Sequence, residues 1–350
     1  MDRARALPVF FAIIFFCASL GAVGKEIGLS QLMLDNWTAT QGLPQNSVLT
    51  MVQTRNGYLW MGTEEGFVRF DGISFTVFDK GNLPLETQHI LWLIEDRDLP
   101  VLWVGTEGGG LVRFDYRTYA AQVFTAKDGL PNNSVVRIVQ NADGSLWVAT
   151  RKGLFLFKDG KVQQILRKKD GLPTDDLKAM VMDDEGRLWL GGRAGRIGWV
   201  QDGKPNILDS LDAAVSNLFI DAQGKLFVAT QKGLFSLAKG KEIFRPVQAE
   251  HLQNYSSSVV FEDSTGTLWV GTEEAGLFRI RPDEKRGITP EDKFYLTNIA
   301  AVFEDREGSI WVGTRGAGLY RFREGKFMTI GGPGVFRSEV IFSIHDSKSG

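Results

Sequence analysis

The chain has 350 residues, 43% of them apolar, and a formal net charge of −2. That balance supplies a core of ordinary size, but neither a basic field for nucleic acid nor a strong acidic field. A single cysteine, Cys17, excludes a disulfide framework, and 40 glycines point to many tight turns.

The first two dozen residues differ from the rest. Arg3 and Arg5 make a positive start, Leu7 to Leu20 is a compact apolar run, and Gly21-Ala22-Val23-Gly24 is small throughout. This is the pattern of a secretory signal peptide over residues 1–24, with cleavage after Gly24. The run is short for a membrane span. Cys17 follows Phe15-Phe16, a poor lipobox, and is read as part of the apolar run rather than as a lipid anchor. A mature chain without cysteine suits an oxidising envelope. Export to the periplasm or cell envelope is therefore expected.

Residues 25–36 form a polar lead-in. Trp37 stands five residues before Gly42, as Phe124 does before Gly129, which predicts an outer strand near Met33 to Thr38. Four short strands follow: Ser47 to Gln53, Tyr58 to Gly62, Phe67 to Phe70 and Ile73 to Phe78. The turns between them are Arg55-Asn56-Gly57, Glu64-Glu65-Gly66 and Asp71-Gly72. Short alternating runs broken by Asn-Gly and Asp-Gly are strong hairpin signals.

The second of these strands recurs along the chain. Leu59-Trp60-Met61-Gly62-Thr63 returns with its aromatic at Trp103, Trp147, Trp189, Phe227, Trp269 and Trp311, in steps of 43, 44, 42, 38, 42 and 42 residues. Seven copies at a period near forty, each with content for four strands, predict an all-β, seven-bladed β-propeller of four-stranded antiparallel blades. The aromatic is expected between neighbouring blades, where each Trp buries roughly 150–250 Å². The small Gly-Thr pair after it suits a crowded strand. Repeats four and five drift, with Gly192 in place of Thr and Phe227 in place of Trp, which predicts relaxed packing there.

Two turn motifs accompany the strands. Asn141, Asp183, Asp221, Asp263 and Asp305 each stand three residues before a glycine and six before the aromatic, so each can hydrogen-bond its own turn. Gly-Leu-Pro at 42–44, 129–131 and 171–173, with Asn82-Leu83-Pro84 as a variant, links the outer strand of one blade to the inner strand of the next. At the other end, residues 338–350 begin an eighth copy, from Ser338 to Gly350. The propeller is thus assigned to residues 25–337, and the polypeptide is expected to continue. The strand near Trp37 could complete the last blade of this propeller or of a second one.

No catalytic motif stands out. The histidines His89, His251 and His345 have no metal-like spacing and read as ordinary surface or strand residues. There is no Gly-x-Ser-x-Gly elbow, and Glu107-Gly108-Gly109-Gly110 sits in a hairpin turn rather than opening a helix. No cofactor and no metal is expected. One constellation carries chemistry. The entry loops of the inner strands and the turns between strands two and three open on one face. That brings Asn46, Asn133 and Asp175 to a rim with Glu64, Glu107, Arg151, Arg193, Glu273 and Arg315, a ring of polar groups suited to a ligand. The same residues could equally be solvated turn positions.

With the repeats laid out, the chain resembles the two-component regulator propeller family. The matching residues are Gly-Leu-Pro-Gln-Asn-Ser-Val at 42–48, the Asx-x-x-Gly-x-Leu-Trp turns, and Gly-Thr-x-x-x-Gly-Leu-x-Arg as at Gly271 and Gly313. The resemblance spans nearly all of residues 31–350. It implies a periplasmic sensor region, which in that family is followed by a transmembrane helix and a histidine kinase, hybrid kinase or diguanylate cyclase. No kinase His box and no Gly-Gly-Asp/Glu-Glu-Phe occurs in this sequence. The partners so implied are a small-molecule or glycan-derived ligand and the downstream domains of the same polypeptide, without nucleic acid. A homodimer is compatible with this. Two further readings stay open: a secreted propeller glycoside hydrolase or lyase, and a protein-binding scaffold. The first needs paired carboxylates at one pocket; the acids here recur in register with turns.

Overall fold

The computed structural model describes residues 32–247, 252–281, 293–294 and 296–324. The leader-like residues 1–24, His251, His345 and the expected further blade at 338–350 lie outside the described residues. Within them, no helix is long and apolar enough to cross a membrane.

The described residues form seven four-stranded antiparallel sheets. Strand β1 (Leu32–Trp37) comes first. Blade one then consists of β2 (Val48–Gln53), β3 (Leu59–Thr63), β4 (Gly66–Phe70) and β5 (Phe75–Phe78). The same order repeats from inside to outside in blade two (90–124), blade three (135–166), blade four (177–210), blade five (215–246) and blade six (257–294). Blade seven has three strands from the end of the described chain, β6 (Ile299–Glu304), β7 (Ile310–Thr314) and β8 (Leu319–Glu324). Its fourth strand is β1, which pairs with β8 from Leu32 opposite Glu324 to Trp37 opposite Leu319. The strand before the first repeat thus completes the last blade of this same propeller, and the seven blades close as a ring.

The core lies between blades. Trp60 and Phe67 of blade one pack with Ile90, Leu102 and Phe114 of blade two, and an equivalent cluster fills each of the other six junctions. The repeated aromatic sits in these clusters, buried in every blade. Its polar edge must also be satisfied. The indole N–H of Trp269 donates to Asp263 Oδ2 at 2.7 Å, and Trp103, Trp189 and Trp311 donate likewise to Asp96, Asp183 and Asp305 at 2.9, 2.8 and 2.7 Å. The same carboxylates hold their turns, as when Asp263 Oδ1 accepts from the amides of Thr265 and Thr267. In blades two, four, six and seven one acid therefore shapes a turn and anchors the aromatic of its blade, while in blade one the Trp60 indole donates to Thr54 Oγ1 at 3.1 Å.

The Gly-Thr pair has two separate tasks. The threonine hydroxyl ties the turn to strand three, as in Thr63 Oγ1 to Gly66 O at 2.8 Å and Thr150 Oγ1 to Gly153 O at 2.9 Å. The glycine makes room for the next blade: a Cβ on Gly191 would lie 2.6 Å from Val215 Cγ1. The relaxed packing expected in repeats four and five is not found. A Cβ at Gly192 would run into the carbonyl oxygen of Asp176, and Phe227 is 2% exposed, so both departures are tightly packed.

Candidate functional site

Each inner strand begins with a β-bulge. The pairing with strand two slips between Val48 and Thr50, Ile90 and Trp92, Val135 and Arg137, Leu177 and Ala179, Val215 and Asn217, Ser257 and Val259, and Ile299 and Ala301. A bulge leaves one residue out of the ladder and re-aims its side chain. The seven residues so released are Leu49, Leu91, Val136, Lys178, Ser216, Ser258 and Ala300, and all seven line one central cavity of about 670 Å³. Blades one to three and seven contribute apolar side chains to this layer. Blades four to six contribute Lys178 and two serines.

The mouth of the cavity is built by the residue that follows strand two. Glu107, Arg151, Arg193, Gln231, Glu273 and Arg315 occupy this position in blades two to seven and line the cavity with His89, Arg137 and Asn298. Backbone bonds hold the rim, within a blade as in Glu107 N to His89 O at 2.9 Å and Arg315 N to Asn298 O at 2.8 Å, and between blades six and seven as in Asn298 N to Glu273 O at 2.7 Å.

Positive charge dominates one side. Arg151 pairs with Glu107 at 2.7 Å, Arg193 with Asp176 at 3.0 Å, and Lys178 reaches Asp176 at 3.7 Å. Burial would push the Glu107 carboxyl up, but the Arg151 hydrogen bond and charge, with Ser134 and His89, outweigh it and hold it below its usual value. Arg137 lies over the ring of Trp92 at 4.2 Å and donates to the carbonyl of Val136. Burial lowers its guanidinium to about 10, and the charge of Arg315 adds to the effect. Lys178 is lowered as well, chiefly by burial; Asp176 opposes this, while Arg151, Arg193 and Arg137 reinforce it. Among the described residues neither Arg137 nor Arg315 has a carboxylate within ion-pair distance. The His89 Nε2 is buried without a hydrogen-bond partner.

The structure divides the residues proposed from sequence. Glu107, Arg151, Arg193, Glu273 and Arg315 come together at the cavity. Asn46, Asn133 and Asp175 serve the links between blades instead: their side-chain oxygens accept from the amides of Ala39, Ala126 and Lys168 at 2.7, 2.7 and 2.6 Å. Glu64 accepts from Gln45 at 3.2 Å and does not line the cavity. His89 proves to be a cavity residue rather than an ordinary strand position. Sequence reading missed Lys178, Arg137 and the other bulge positions. The signal was available, since the bulge residue stands eleven places before the aromatic, as at 178 and 189 or 300 and 311, and twelve in blade two. Simple alternation hides it, because a bulge reverses the parity of the strand.

Four segments match the family model described as "Two component regulator propeller": residues 42–65, 129–152, 251–274 and 296–316. Each begins near a link between blades and ends just past strand two. A histidine kinase P4 from Formosa agariphila is 34% identical over 74 residues, which is 21% of this chain and 5% of that protein. A crystal structure described as the extracellular domain of a hybrid two component system from B. thetaiotaomicron superposes with a TM-score of 0.73 at 22% identity, over 84% of this chain and 42% of that one. A streptogramin B lyase superposes with a TM-score of 0.68 at 14% identity, over 86% of this chain and all of that one (100%). At these identities the structural likenesses establish the fold. The chain spans about two fifths of the two-component structure and a twentieth of the kinase.

Proposed function

From a chain that carries repeats of the two-component regulator propeller family, we infer an extracytoplasmic sensor module that binds a small ligand at the mouth of its ring and biases a downstream output. The observation that supports this best is the cavity to which all seven blades contribute. Its volume falls within the ~300–1,000 Å³ of small-molecule sites. The leader-like residues 1–24 support export, and the partial coverage of its relatives fits a sensory region followed by a membrane span and a histidine kinase or diguanylate cyclase. Ligand would act by binding one arrangement of the module more tightly than another, since a ligand indifferent to the two shifts nothing.

The test has two arms. A thermal-shift screen of the chain against glycan fragments and small metabolites should yield a compound that raises its melting temperature saturably. At a hundredfold excess over Kd the gain is about 2.7 kcal/mol. Alanine at Glu273 and Arg315 together should abolish the shift. Immunoblots of membrane and periplasmic fractions should show a membrane-bound species much larger than the 38.9 kDa of this chain. A soluble band at that mass, with no stabilising ligand, would overturn the sensor reading. Turnover of a screened glycan would move the assignment to the propeller lyases and hydrolases.

A further inference from the structure

We propose that the ligand of this cavity is a small organic polyanion, bearing at least two carboxylate or sulfate groups, anchored by Arg137, Lys178 and Arg315. The inference rests on the sensor reading above and names the chemistry of its ligand.

Five cations line the cavity: Arg137, Arg151, Lys178, Arg193 and Arg315. Three acids stand near them, Glu107 and Glu273 in the wall and Asp176 beside it. The site therefore carries two positive charges in excess, in a chain whose net charge is −2. The excess is also misplaced from the standpoint of stability. Like charges gathered where water is partly excluded repel one another, and each loses hydration that its neighbours do not replace. The fold could avoid this cheaply. The positions of Lys178 and Arg137 are small or neutral in most other blades, with Ser216, Ser258 and Ala300 at the bulge and Ala179, Val259 and Ala301 one place later. Blades three and four alone place cations there, side by side.

The arrangement fits a bound anion. Arg137 is fixed by stacking on Trp92, whose own indole N–H donates to Ile138 O at 3.2 Å, so its fork is oriented before any ligand arrives. Guanidinium groups suit the planar, two-pronged geometry of carboxylate and sulfate. Lys178 lies on the bulge layer of blade four and offers a point charge. Arg315 approaches from the opposite rim in blade seven. One small anion would use only part of this set; two or more negative groups on one skeleton would neutralise it. Leu49, Leu91 and Val136 supply an apolar wall for the skeleton between those groups.

The experiment uses the whole chain with citrate and digalacturonate as probes, read by calorimetry and thermal shift at low salt. The fully methylated esters of both serve as neutral matches of the same skeleton. At least one acid should bind saturably, its ester should not, and affinity should fall as salt is raised. Lys178→Gln and Arg315→Gln should each weaken binding about tenfold or more. Because Lys178 is a strained cation, Lys178→Gln should also melt at or above the parent temperature, an outcome that a merely structural lysine would not give. Lys239→Gln, outside the cavity, should change nothing. The assignment is overturned if neither acid binds, if an ester binds as well as its acid, or if the two cavity variants keep full affinity. A neutral compound that stabilises the chain would sink the polyanion while leaving the sensor reading intact.

Discussion

Trp37 stacks on Trp311 with ring centroids 5.4 Å apart and planes inclined by 22°, although 274 positions separate residues 37 and 311. Arg321 lies 5.4 Å from the first ring and 5.2 Å from the second, and its guanidinium grips Asp35 at 2.7 and 2.9 Å. One short strand from the start of the described chain thus fastens the last blade through stacking, an ion pair in which two guanidinium N–H groups share Asp35 Oδ2, and six register pairs.

Loosening that fastening should open the ring. Trp37→Ala removes a partly buried aromatic and is expected to cost about 2–3 kcal/mol, below the ~3–5 of a fully buried one. Urea unfolding should show the loss. Hydrogen exchange should place the new exposure in blades seven and one first. Uniform loosening around the ring would mean that β1 is not the seal.

The shared carboxylate predicts a difference between blades. Asp263→Ala strands the Trp269 indole N–H and two turn amides, and should cost about 2–3 kcal/mol. Asp221→Ala should cost about 1 kcal/mol, because Phe227 has no N–H to strand and only the turn amides of Gln223 and Lys225 lose an acceptor. Equal losses in denaturant titration would show that the turn, not the indole, carries the energy.

Two of the turn carboxylates, Asp96 and Asp183, also contribute to the acid limb of stability. Burial pushes Asp96 up, but the Trp103 indole, the Leu99 and Asp98 amides and Gln140 outweigh it and hold it below its usual value. Asp183 is lowered in the same way, with Trp189 and Arg187 prevailing over burial. A lowered native pKa means that the unfolded chain binds more protons as the medium acidifies. The contribution is complete above the unfolded value of about 3.9 and is lost as pH falls through the lower native one. Asp96→Asn should therefore be less stable at pH 7, and its melting temperature should decline less than the parent's between pH 5 and 2. Parallel curves would remove Asp96 from the explanation.

The glycine after the aromatic answers to the next blade. Gly62, Gly105, Gly191, Gly271 and Gly313 face Ile90, Val135, Val215, Ile299 and Val48, all β-branched. Blades three and five carry Ala149 and Ala229 at that position, and the matching inner-strand residues of the blades that follow are Leu177 and Ser257. Gly191→Ala should cost about 1–3 kcal/mol through overpacking on Val215. With Val215→Ala in the same chain the two effects should couple by about 1 kcal/mol in the favourable sense. Strict additivity in a double-mutant cycle would exclude the clash.

Much of this was legible in the sequence. A period near forty with Asn-Gly and Asp-Gly turns determines four-stranded blades, because hairpins form from neighbouring residues and each blade can cover its apolar faces only against another. Their number follows from counting copies of one aromatic. The spacing of Asp263 and Trp269 was visible too, but as a turn alone. That the carboxylate reaches the indole is a matter of three dimensions. Three decisions belonged to the tertiary structure. Whether β1 closes this ring depends on where its two ends meet, and local pattern is silent about that distance. Asn46, Asn133 and Asp175 looked like rim residues but spend their oxygens on the links, since unpaired amides at a blade junction need acceptors. The cavity itself comes from seven bulges, each of which turns one residue out of the ladder and toward the axis. Lys178 and Arg315 become neighbours of one ligand space because the blades are arranged in a circle, and a circle is a property of the packed ring, not of any one repeat.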